Sequence, residues 1–208
     1  TNSSSLICQS CWNDLTSNHT VCNKCGRRLT ATRLCALCMR KPGFVDNTLT
    51  LGSYNFPVTT LLRSLKYKNQ LSLAHEFGEK LADKILSENF SLPDRLIPVP
   101  LHPRRLLSRG YNQSLEIART ISSRIAVPLE YKSCKRVRNT LPQFDLKPAE
   151  RRTNIKGAFS FHGSELSGSI AIVDDIVTTG QTANELAKVL KAAGATKVSL
   201  WACAHADY

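Results

Sequence analysis

Apolar positions recur along the chain with two different spacings, and these spacings predict helices and strands in alternation. Spacings of three and four residues predict a helix that begins at Pro57 and further helices over 71–88, 112–125 and 181–193. Continuous or alternating apolar runs predict strands at 48–54, 95–99, 129–133, 169–173 and 197–204. Strands that alternate with helices indicate an α/β fold with a parallel sheet flanked by helices.

Two segments lack this periodicity. Residues 1–46 are rich in cysteine and poor in apolar residues, so we predict a small zinc-ribbon-like module there and an α/β domain over 47–208. Residues 134–157 are basic, interrupted by proline and weakly periodic, so we predict a long loop. Loops of that length in a compact domain are usually functional or disordered.

Six of the eight cysteines fall within residues 1–38 as three Cys-x-x-Cys pairs. The pairs are Cys8 with Cys11, Cys22 with Cys25, and Cys35 with Cys38. Such a pair places two thiolates on one side of a tight turn, and two pairs complete a tetrahedral Zn²⁺ site. A single pair is also compatible with a redox motif. Repeated pairs in a basic chain without a visible secretion signal favour zinc over disulfides.

Three pairs do not divide into sites of four ligands. The second and third pairs can close one site, which leaves Cys8 and Cys11 without partners. Either His19 and a fourth ligand complete their site, or a further pair lies upstream of Thr1, since the sequence does not begin with Met. We predict that the isolated Cys134 and Cys203 are small buried hydrophobic residues.

The sequence gives no sign of a membrane span or an export signal. No stretch approaches the roughly 18 consecutive apolar residues that a transmembrane helix needs. Residues 1–6 are uncharged and lack the basic and long apolar regions of a secretory signal. We therefore expect a cytoplasmic protein.

Positive charge is concentrated in the middle of the chain. Lys and Arg number 28 against 16 Asp and Glu, a formal charge of +12. Residues 100–160 carry 13 basic and 4 acidic side chains, and nine of the basic ones are Arg, whose planar fork matches phosphate oxygens. This concentration favours an anionic partner, such as nucleic acid or a phosphorylated metabolite, over a scattered basic surface that only confers solubility.

The segment 170–182 combines a buried strand, two carboxylates and a turn rich in hydroxyl groups. Asp174 and Asp175 end the strand, and a helix starts after Gly180. Open α/β sheets bind ligands at that end of their strands, and the backbone N–H groups of a helix start suit a phosphate. The carboxylates would repel a phosphate, so we expect them to bind sugar hydroxyls or a Mg²⁺-bound group. The alternative is a strand, turn and helix without a ligand.

This combination resembles the binding loop for 5-phosphoribosyl 1-pyrophosphate in type I phosphoribosyltransferases. Other segments make the whole chain similar to the ComF family, named for competence for DNA uptake, although ComF proteins usually carry more than three Cys-x-x-Cys pairs. The matching segments are residues 35–38 with Pro42 and Phe44, then Leu62, Leu65, Lys66 and Tyr67, residues 97–101 and 109–113, and Arg138, Thr140, Gln143, Arg151, Asn154 and Phe159 before the Asp-Asp-x-x-Thr-Thr-Gly loop.

The resemblance implies a type I phosphoribosyltransferase-like fold and a role for each part of the loop. Asp174 and Asp175 would hold the ribose hydroxyls, and Mg²⁺ would bridge these hydroxyls and the pyrophosphate. The 5-phosphate would be wrapped by Thr178, Thr179, Gly180, Gln181 and Thr182. Arg104, Arg105 and Arg109 would serve the pyrophosphate, and Arg138 and Arg151 would lie in a closing loop.

Two classes of function fit these features. One is an enzyme that transfers phosphoribosyl to a base or amine in nucleotide metabolism. The other is a ComF-like protein that handles single-stranded DNA in natural transformation and keeps a phosphoribosyl pyrophosphate site. We favour the second class, because no separate segment is available to select a nucleobase and because a cysteine module occupies the N-terminus. Whether the protein catalyses a phosphoribosyl transfer, and to which acceptor, stays open. Other DNA-uptake proteins at the inner membrane face would be further partners.

We predict that the chain binds single-stranded DNA with little sequence preference. The binding constant should fall as the salt concentration rises, because counterion release dominates such binding. In a plot of log K against log [salt], the slope should be about −0.7 for each phosphate neutralised. Trp12 is a candidate for stacking on a base. The alternative is that Trp12 packs over the small core of the cysteine module. The expected DNA-binding residues are Arg104, Arg105, Arg109, Lys135, Arg136 and Arg138, with Arg27, Arg28 and Arg33 of the module.

Titration of a labelled oligonucleotide at several salt concentrations checks this prediction. An oligonucleotide that does not bind at low salt would exclude a DNA-binding surface and favour the metabolic enzyme. The same titration with saturating phosphoribosyl pyrophosphate shows whether the two ligands use one site.

Overall fold

The computed structural model describes residues 6–16, 20–29, 34–88, 90–140 and 153–206. Within these ranges the α-helices are α1 Gln9–Leu15, α2 Ala36–Arg40, α3 Val58–Tyr67, α4 Ser72–Ser87, α5 Pro103–Arg109, α6 Gln113–Ile125 and α7 Gln181–Ala192. The strands are β1 Asn47–Ser53, β2 Arg95–Pro98, β3 Cys134–Arg136, β4 Phe159–Phe161, β5 Ser169–Val177 and β6 Lys197–His205. The predicted alternation of strands and helices is confirmed.

Four strands form one parallel sheet in the order β1-β6-β5-β2, and β3 and β4 form a separate antiparallel pair. Successive residues of β5 point to opposite faces, so Ala171 and Val173 join one core and Ile170 and Ile172 join the other. Helices α3, α4 and α6 cover the first face, whereas α7 and the β3–β4 pair cover the second. The predicted parallel sheet flanked by helices is therefore confirmed.

Both edges of this sheet are covered by other parts of the chain. On β1, the Thr48 N–H donates to the Asn23 carbonyl at 2.7 Å, and the Thr48 hydroxyl donates to the Lys24 carbonyl at 2.7 Å. On β2, the Leu96 N–H donates to the Pro128 carbonyl, and the Leu96 carbonyl accepts from the Glu130 N–H. Backbone groups that an open edge would leave unpaired are satisfied at these positions.

The N-terminal helix packs directly on the α/β domain. Ile7, Trp12 and Leu15 belong to the same buried cluster as α4 and β1, and the Trp12 ring meets the Phe77 ring edge to face at 5.4 Å. Trp12 is therefore a packing residue. It packs against α4 of the α/β domain and not only against residues of the cysteine module. The domain boundary near residue 46 stays a prediction.

Three local predictions differ from the structure. Helix α5 was not predicted, because its apolar Leu106 and Leu107 are exposed and show no buried face. No strand forms over 129–133; only an isolated bridge joins Leu129 to Leu96. Strands β3 and β4 instead pair with each other, and β3 lies inside the segment predicted as a loop.

Among the described ranges, no helix combines the length and the apolar character that a membrane crossing demands.

Candidate functional site

A cavity of about 650 Å³ opens at the carboxyl ends of β5 and β2, where an open α/β sheet is expected to bind a ligand. The predicted residues that line it are Asp174, Asp175, Thr178, Gly180, Gln181, Thr182, Arg105, Arg109 and Arg136. The lining also includes residues that were not assigned a role from the sequence, namely Tyr54, Thr59, Arg63, Lys66, Tyr67, Gln113 and Ser114. The cavity therefore combines acidic, basic and hydroxyl side chains from distant parts of the chain.

The two carboxylates at the end of β5 have different partners. Asp174 Oδ1 accepts from Ser114 Oγ at 3.0 Å and from the backbone N–H of Asp175 at 2.9 Å. Asp175 Oδ2 lies 2.6 Å from Lys66 Nζ in an ion pair. The adjacent carboxylates are held by two different helices, Asp174 by α6 and Asp175 by α3.

The environment affects the protonation of this pair. Burial raises the pKa of Asp174 to about 7, and the neighbouring Asp175 carboxylate adds to the increase. Burial alone would lower the pKa of Lys66, but the Asp175 carboxylate outweighs burial, so the pKa of Lys66 is raised. Lys66 therefore stays charged and compensates Asp175, whereas Asp174 changes protonation near neutral pH.

The loop after β5 leads into the start of α7 and lines the cavity. Gly180 caps α7 with a left-handed φ of 69°, a conformation that suits glycine. Unpaired N–H groups at the start of a helix attract anions, and Thr178, Gln181 and Thr182 face the cavity at that point. Thr179 does not line the cavity, and its buried hydroxyl has no hydrogen-bond partner among the residues that the structure describes.

The basic residues predicted from the sequence divide between the cavity and other surfaces. Arg105, Arg109 and Arg136 line the cavity, whereas Arg104, Lys135 and Arg138 do not and are exposed. The guanidinium of Arg138 donates to the Lys156 carbonyl. Arg28 is exposed and Arg27 is half-buried. The remaining assigned residues, His19, Arg33 and Arg151, lie outside the described residues.

Sequence reasoning missed Arg63, Lys66 and Ser114 as residues of the cavity. Arg63 and Lys66 lie on α3 and Ser114 lies on α6, far along the chain from the acidic pair. Lys66 was part of the family pattern, but nothing in its spacing distinguishes it from a solvent-exposed lysine at the end of an amphipathic helix. The fold alone brings these three side chains to the end of β5.

Cys22, Cys25, Cys35 and Cys38 form a group that could hold a metal ion. Their four Sγ atoms lie within 4.8 Å of one another, and Cys25 Sγ is 3.8 Å from Cys35 Sγ. Ligands about 2.3 Å from a tetrahedral zinc are roughly 3.8 Å apart, so the donor set fits such an ion. The structure brings the second and third Cys-x-x-Cys pairs together, as predicted.

The other cysteines lie apart from this group. Cys8 and Cys11 are exposed at the beginning of α1, and the described residues provide no third or fourth ligand beside them. Cys134 and Cys203 are 4% and 1% exposed, as predicted for small buried residues. Burial raises the pKa of the Cys134 thiol to about 12, so this thiol stays protonated.

A short segment after the four-cysteine group is fastened to α7. The Phe44 N–H donates to Asn184 Oδ1 at 2.6 Å, and Asp46 pairs with Lys191 at 2.8 Å. A Cβ atom at Gly43 would lie 2.3 Å from Asn184 Oδ1, so a larger residue here would require the Asn184 side chain to shift. Asn184 belongs to the first turn of α7, and its N–H donates to the Gly180 carbonyl of the loop.

The parallel sheet, the helices on both of its faces and the four-cysteine group define the class of protein. The chain is an α/β domain with a parallel sheet flanked by helices, preceded by a small cysteine module. This confirms the parallel sheet flanked by helices and the four-cysteine group expected from the sequence.

Curated relatives identify the family within this class. Competence protein F of Haemophilus influenzae is 31% identical over 208 residues, which cover 96% of this chain and 90% of that protein. DNA utilization protein YhgH of Escherichia coli (strain K12) is 32% identical over 200 residues, which cover 94% of this chain and 88% of that protein. The chain belongs to the ComF family, as its sequence pattern indicated.

More distant similarities are also present. Competence protein ComFC of Streptococcus pneumoniae is 25% identical over 158 residues, which cover 76% of this chain and 68% of that protein. A purine phosphoribosyltransferase from Pyrococcus horikoshii gives a TM-score of 0.38 at 16% identity, covering 62% of this chain and 80% of that chain. A phosphoribosylpyrophosphate amidotransferase from B. subtilis gives a TM-score of 0.41 at 20% identity, covering 62% of this chain and 26% of that chain. No family model matches the chain.

The raised pKa of Asp174 predicts that Asp174→Asn stabilises the protein at high pH. The native carboxyl holds its proton to about pH 7, against 3.8 for the ordinary group, so the native state binds more protons than the unfolded state in that window. Wild-type stability therefore falls as the pH rises from about 4 to 7. The variant should be more stable than wild type near pH 8, and this difference should vanish near pH 4.

Urea unfolding of both proteins across that pH range gives the measurement. Asp175→Asn is the comparison variant, because it removes the ion-pair partner of the half-buried Lys66 and should destabilise the protein at neutral pH. If the free energy of unfolding depended on pH equally in wild type and Asp174→Asn, the raised pKa of Asp174 would be contradicted.

Proposed function

We propose that this ComF protein binds 5-phosphoribosyl 1-pyrophosphate in the cavity at the end of β5 and handles single-stranded DNA in natural transformation. The observation that carries the first part is the juxtaposition, in one cavity, of the Asp174–Asp175 pair and the loop 178–182. The second part is supported by the relatives named for competence and DNA utilization. We further propose that other DNA-uptake proteins are its partners.

The two halves of the cavity suit the two ends of a ribose phosphate. Asp174 has no basic side chain in ion-pair contact among the described residues, so its second oxygen can accept hydrogen bonds from ribose hydroxyls. The amide groups at the start of α7 would hold the 5-phosphate, with the hydroxyls of Thr178 and Thr182 as further donors. A phosphate placed beside the carboxylates would be repelled, which favours this orientation of the sugar over the reverse.

We propose Mg²⁺ as the ion that accompanies the ligand. Mg²⁺ prefers oxygen ligands and is commonly held by one or two carboxylates together with substrate phosphates. Asp174 and Asp175 supply carboxylate oxygens here, although Lys66 already neutralises Asp175. The ion would offset the negative charge of the ligand next to these residues.

We propose Zn²⁺ as the ion of the cysteine module. Four thiolates in tetrahedral arrangement are typical of structural zinc sites, and a module this small depends on its metal to fold. The four Sγ atoms lie within 4.8 Å of one another, which is the separation that four ligands of one ion need.

Protein purified without added metal should contain about one equivalent of zinc. Cys35→Ser removes a ligand and should lose the zinc, whereas Cys134→Ala, which changes a buried cysteine outside the group, should keep it. Metal analysis together with thiol titration makes the comparison. Less than half an equivalent in the wild type, with the four thiols freely reactive, would contradict the zinc site.

The DNA-binding residues proposed on the outer surface are the exposed ones. Arg104, Lys135 and Arg138 are exposed on the α/β domain, and Arg28 is exposed on the cysteine module. A single strand on this surface would contact them through its phosphates. Trp12 is buried against Phe77, so base stacking on Trp12 is not part of the proposal.

Simultaneous substitution of Asp174→Ala and Asp175→Ala should abolish the binding of phosphoribosyl pyrophosphate with Mg²⁺. Two lost charge-assisted hydrogen bonds cost about 3–6 kcal/mol together, which is roughly a hundredfold or more in affinity. Isothermal titration calorimetry measures this loss, and a thermal melt checks that the variant is folded.

Arg119→Ala is the control, because Arg119 is exposed on α6 and does not line the cavity. The control should bind as wild type does. Unchanged affinity in the double variant would show that the ribose site lies elsewhere.

A further inference from the structure

Three residues of α3 line the cavity and have no part in the ribose phosphate site proposed above. Thr59, Arg63 and Tyr67 follow one another at every fourth position of this helix, and all three line the cavity. Residues at this spacing lie one above the other on the same side of a helix. The wall formed by α3 therefore presents a hydroxyl, a guanidinium and an aromatic ring in a row.

Tyr67 is an exposed aromatic residue with a cation beside its ring. Its exposed fraction is 71%, although it lines the cavity. The Arg109 guanidinium lies 5.5 Å from the centre of the Tyr67 ring. This guanidinium is itself fixed, because Arg109 Nη1 donates to Oε1 of the buried Gln113 at 2.7 Å. Most of the ring is thus open to a ligand, while a positioned cation supports it.

The cations next to this ring have no acidic partners. Within the part of the chain that the structure describes, no carboxylate oxygen lies within 4.0 Å of the Arg63 or the Arg109 guanidinium. An aromatic ring beside such cations suits a single-stranded nucleic acid, because each nucleotide offers a flat base for stacking and a phosphate for the cation. The α3 wall therefore matches the chemistry of one nucleotide.

We propose that α3 holds one nucleotide of a single-stranded DNA at the rim of the cavity, with its base stacked on Tyr67 and its phosphate on Arg63. The inference rests on the DNA part of the proposed function and deepens it, because it supplies a base-stacking residue where the buried Trp12 does not. Every base has a flat face, so stacking on Tyr67 requires no particular sequence.

Helix α5 connects this position with the outer surface proposed for DNA. Arg104 of α5 is exposed and does not line the cavity, whereas Arg109 of the same helix lines it beside the Tyr67 ring. A strand that follows α5 from Arg104 to Arg109 therefore arrives at Tyr67. The strand would pass from the outer surface to the cavity over one continuous row of positive charge.

Tyr131 offers a matched control in the same protein. It is also an exposed tyrosine, with an exposed fraction of 42%, and the Arg119 guanidinium lies 5.5 Å from its ring centre. Lys132 Nζ lies 5.8 Å from the same ring centre. Tyr131 does not line the cavity. The two tyrosines therefore share exposure and a neighbouring cation and differ in position, which is the property to be tested.

The test uses a short single-stranded oligonucleotide that carries a fluorescent adenine analogue, whose emission falls when the base stacks. Tyr67→Ala should weaken binding about five- to hundredfold and remove the fall in emission, whereas Tyr67→Phe, which keeps the ring, should preserve both. Tyr131→Ala should bind as wild type does. Arg63→Gln should reduce the steepness of log K against log [salt] by about 0.7, the contribution of one phosphate. Thermal melting checks the fold of each variant.

The outcomes separate this inference from the proposed function. A strand that binds wild type and Tyr67→Ala equally, or an equal loss in Tyr131→Ala, would overturn the role of Tyr67 and leave the DNA function standing. A strand that does not bind wild type at low salt would overturn both. Adenosine monophosphate that binds in a Tyr67-dependent way without binding of the strand would overturn the choice of DNA as the occupant.

Discussion

The structure depends on accommodating two adjacent carboxylates, the buried Asp175 and the half-buried Asp174, near the end of a parallel strand. Two neighbouring negative charges in such a place are unfavourable unless each is compensated in its own way. Lys66 compensates Asp175 with an ion pair of 2.6 Å, and Asp174 is tied to Ser114 and to a backbone N–H. The positions of α3 and α6 over the sheet follow from this requirement as well as from their apolar faces, and the cavity opens between those two helices and the loop.

Features that are local in the sequence could be predicted, and features that depend on tertiary contacts could not. The strand, acidic pair and loop of 169–182 are contiguous, so their chemistry can be inferred from order alone. Lys66 and Ser114 reach the same carboxylates from distant helices, and only the folded chain reveals them. The strand expected at 129–133 was wrong for a related reason: that segment covers the edge of β2 without forming a ladder.

The basic segment illustrates the limit of charge counting. Net charge over 100–160 correctly indicates a cation-rich region, but it does not tell which side chains face a cavity and which face solvent. Lys135 and Arg136 are neighbours in sequence and point in opposite directions, because a strand alternates its faces. One basic segment therefore contributes side chains both to the cavity and to the outer surface, and the exposure of each side chain distinguishes the two groups.

The cysteine module also covers one edge of the sheet. Asn23 and Lys24 lie in the turn between two of the four grouped cysteines, and their carbonyls accept hydrogen bonds from Thr48 at the outer edge of β1. An uncovered edge strand is a template for pairing with another chain. The turn between Cys22 and Cys25 is therefore the cover of that edge, so the ligand spacing of the cysteine group and the pairing of β1 are set by the same four residues.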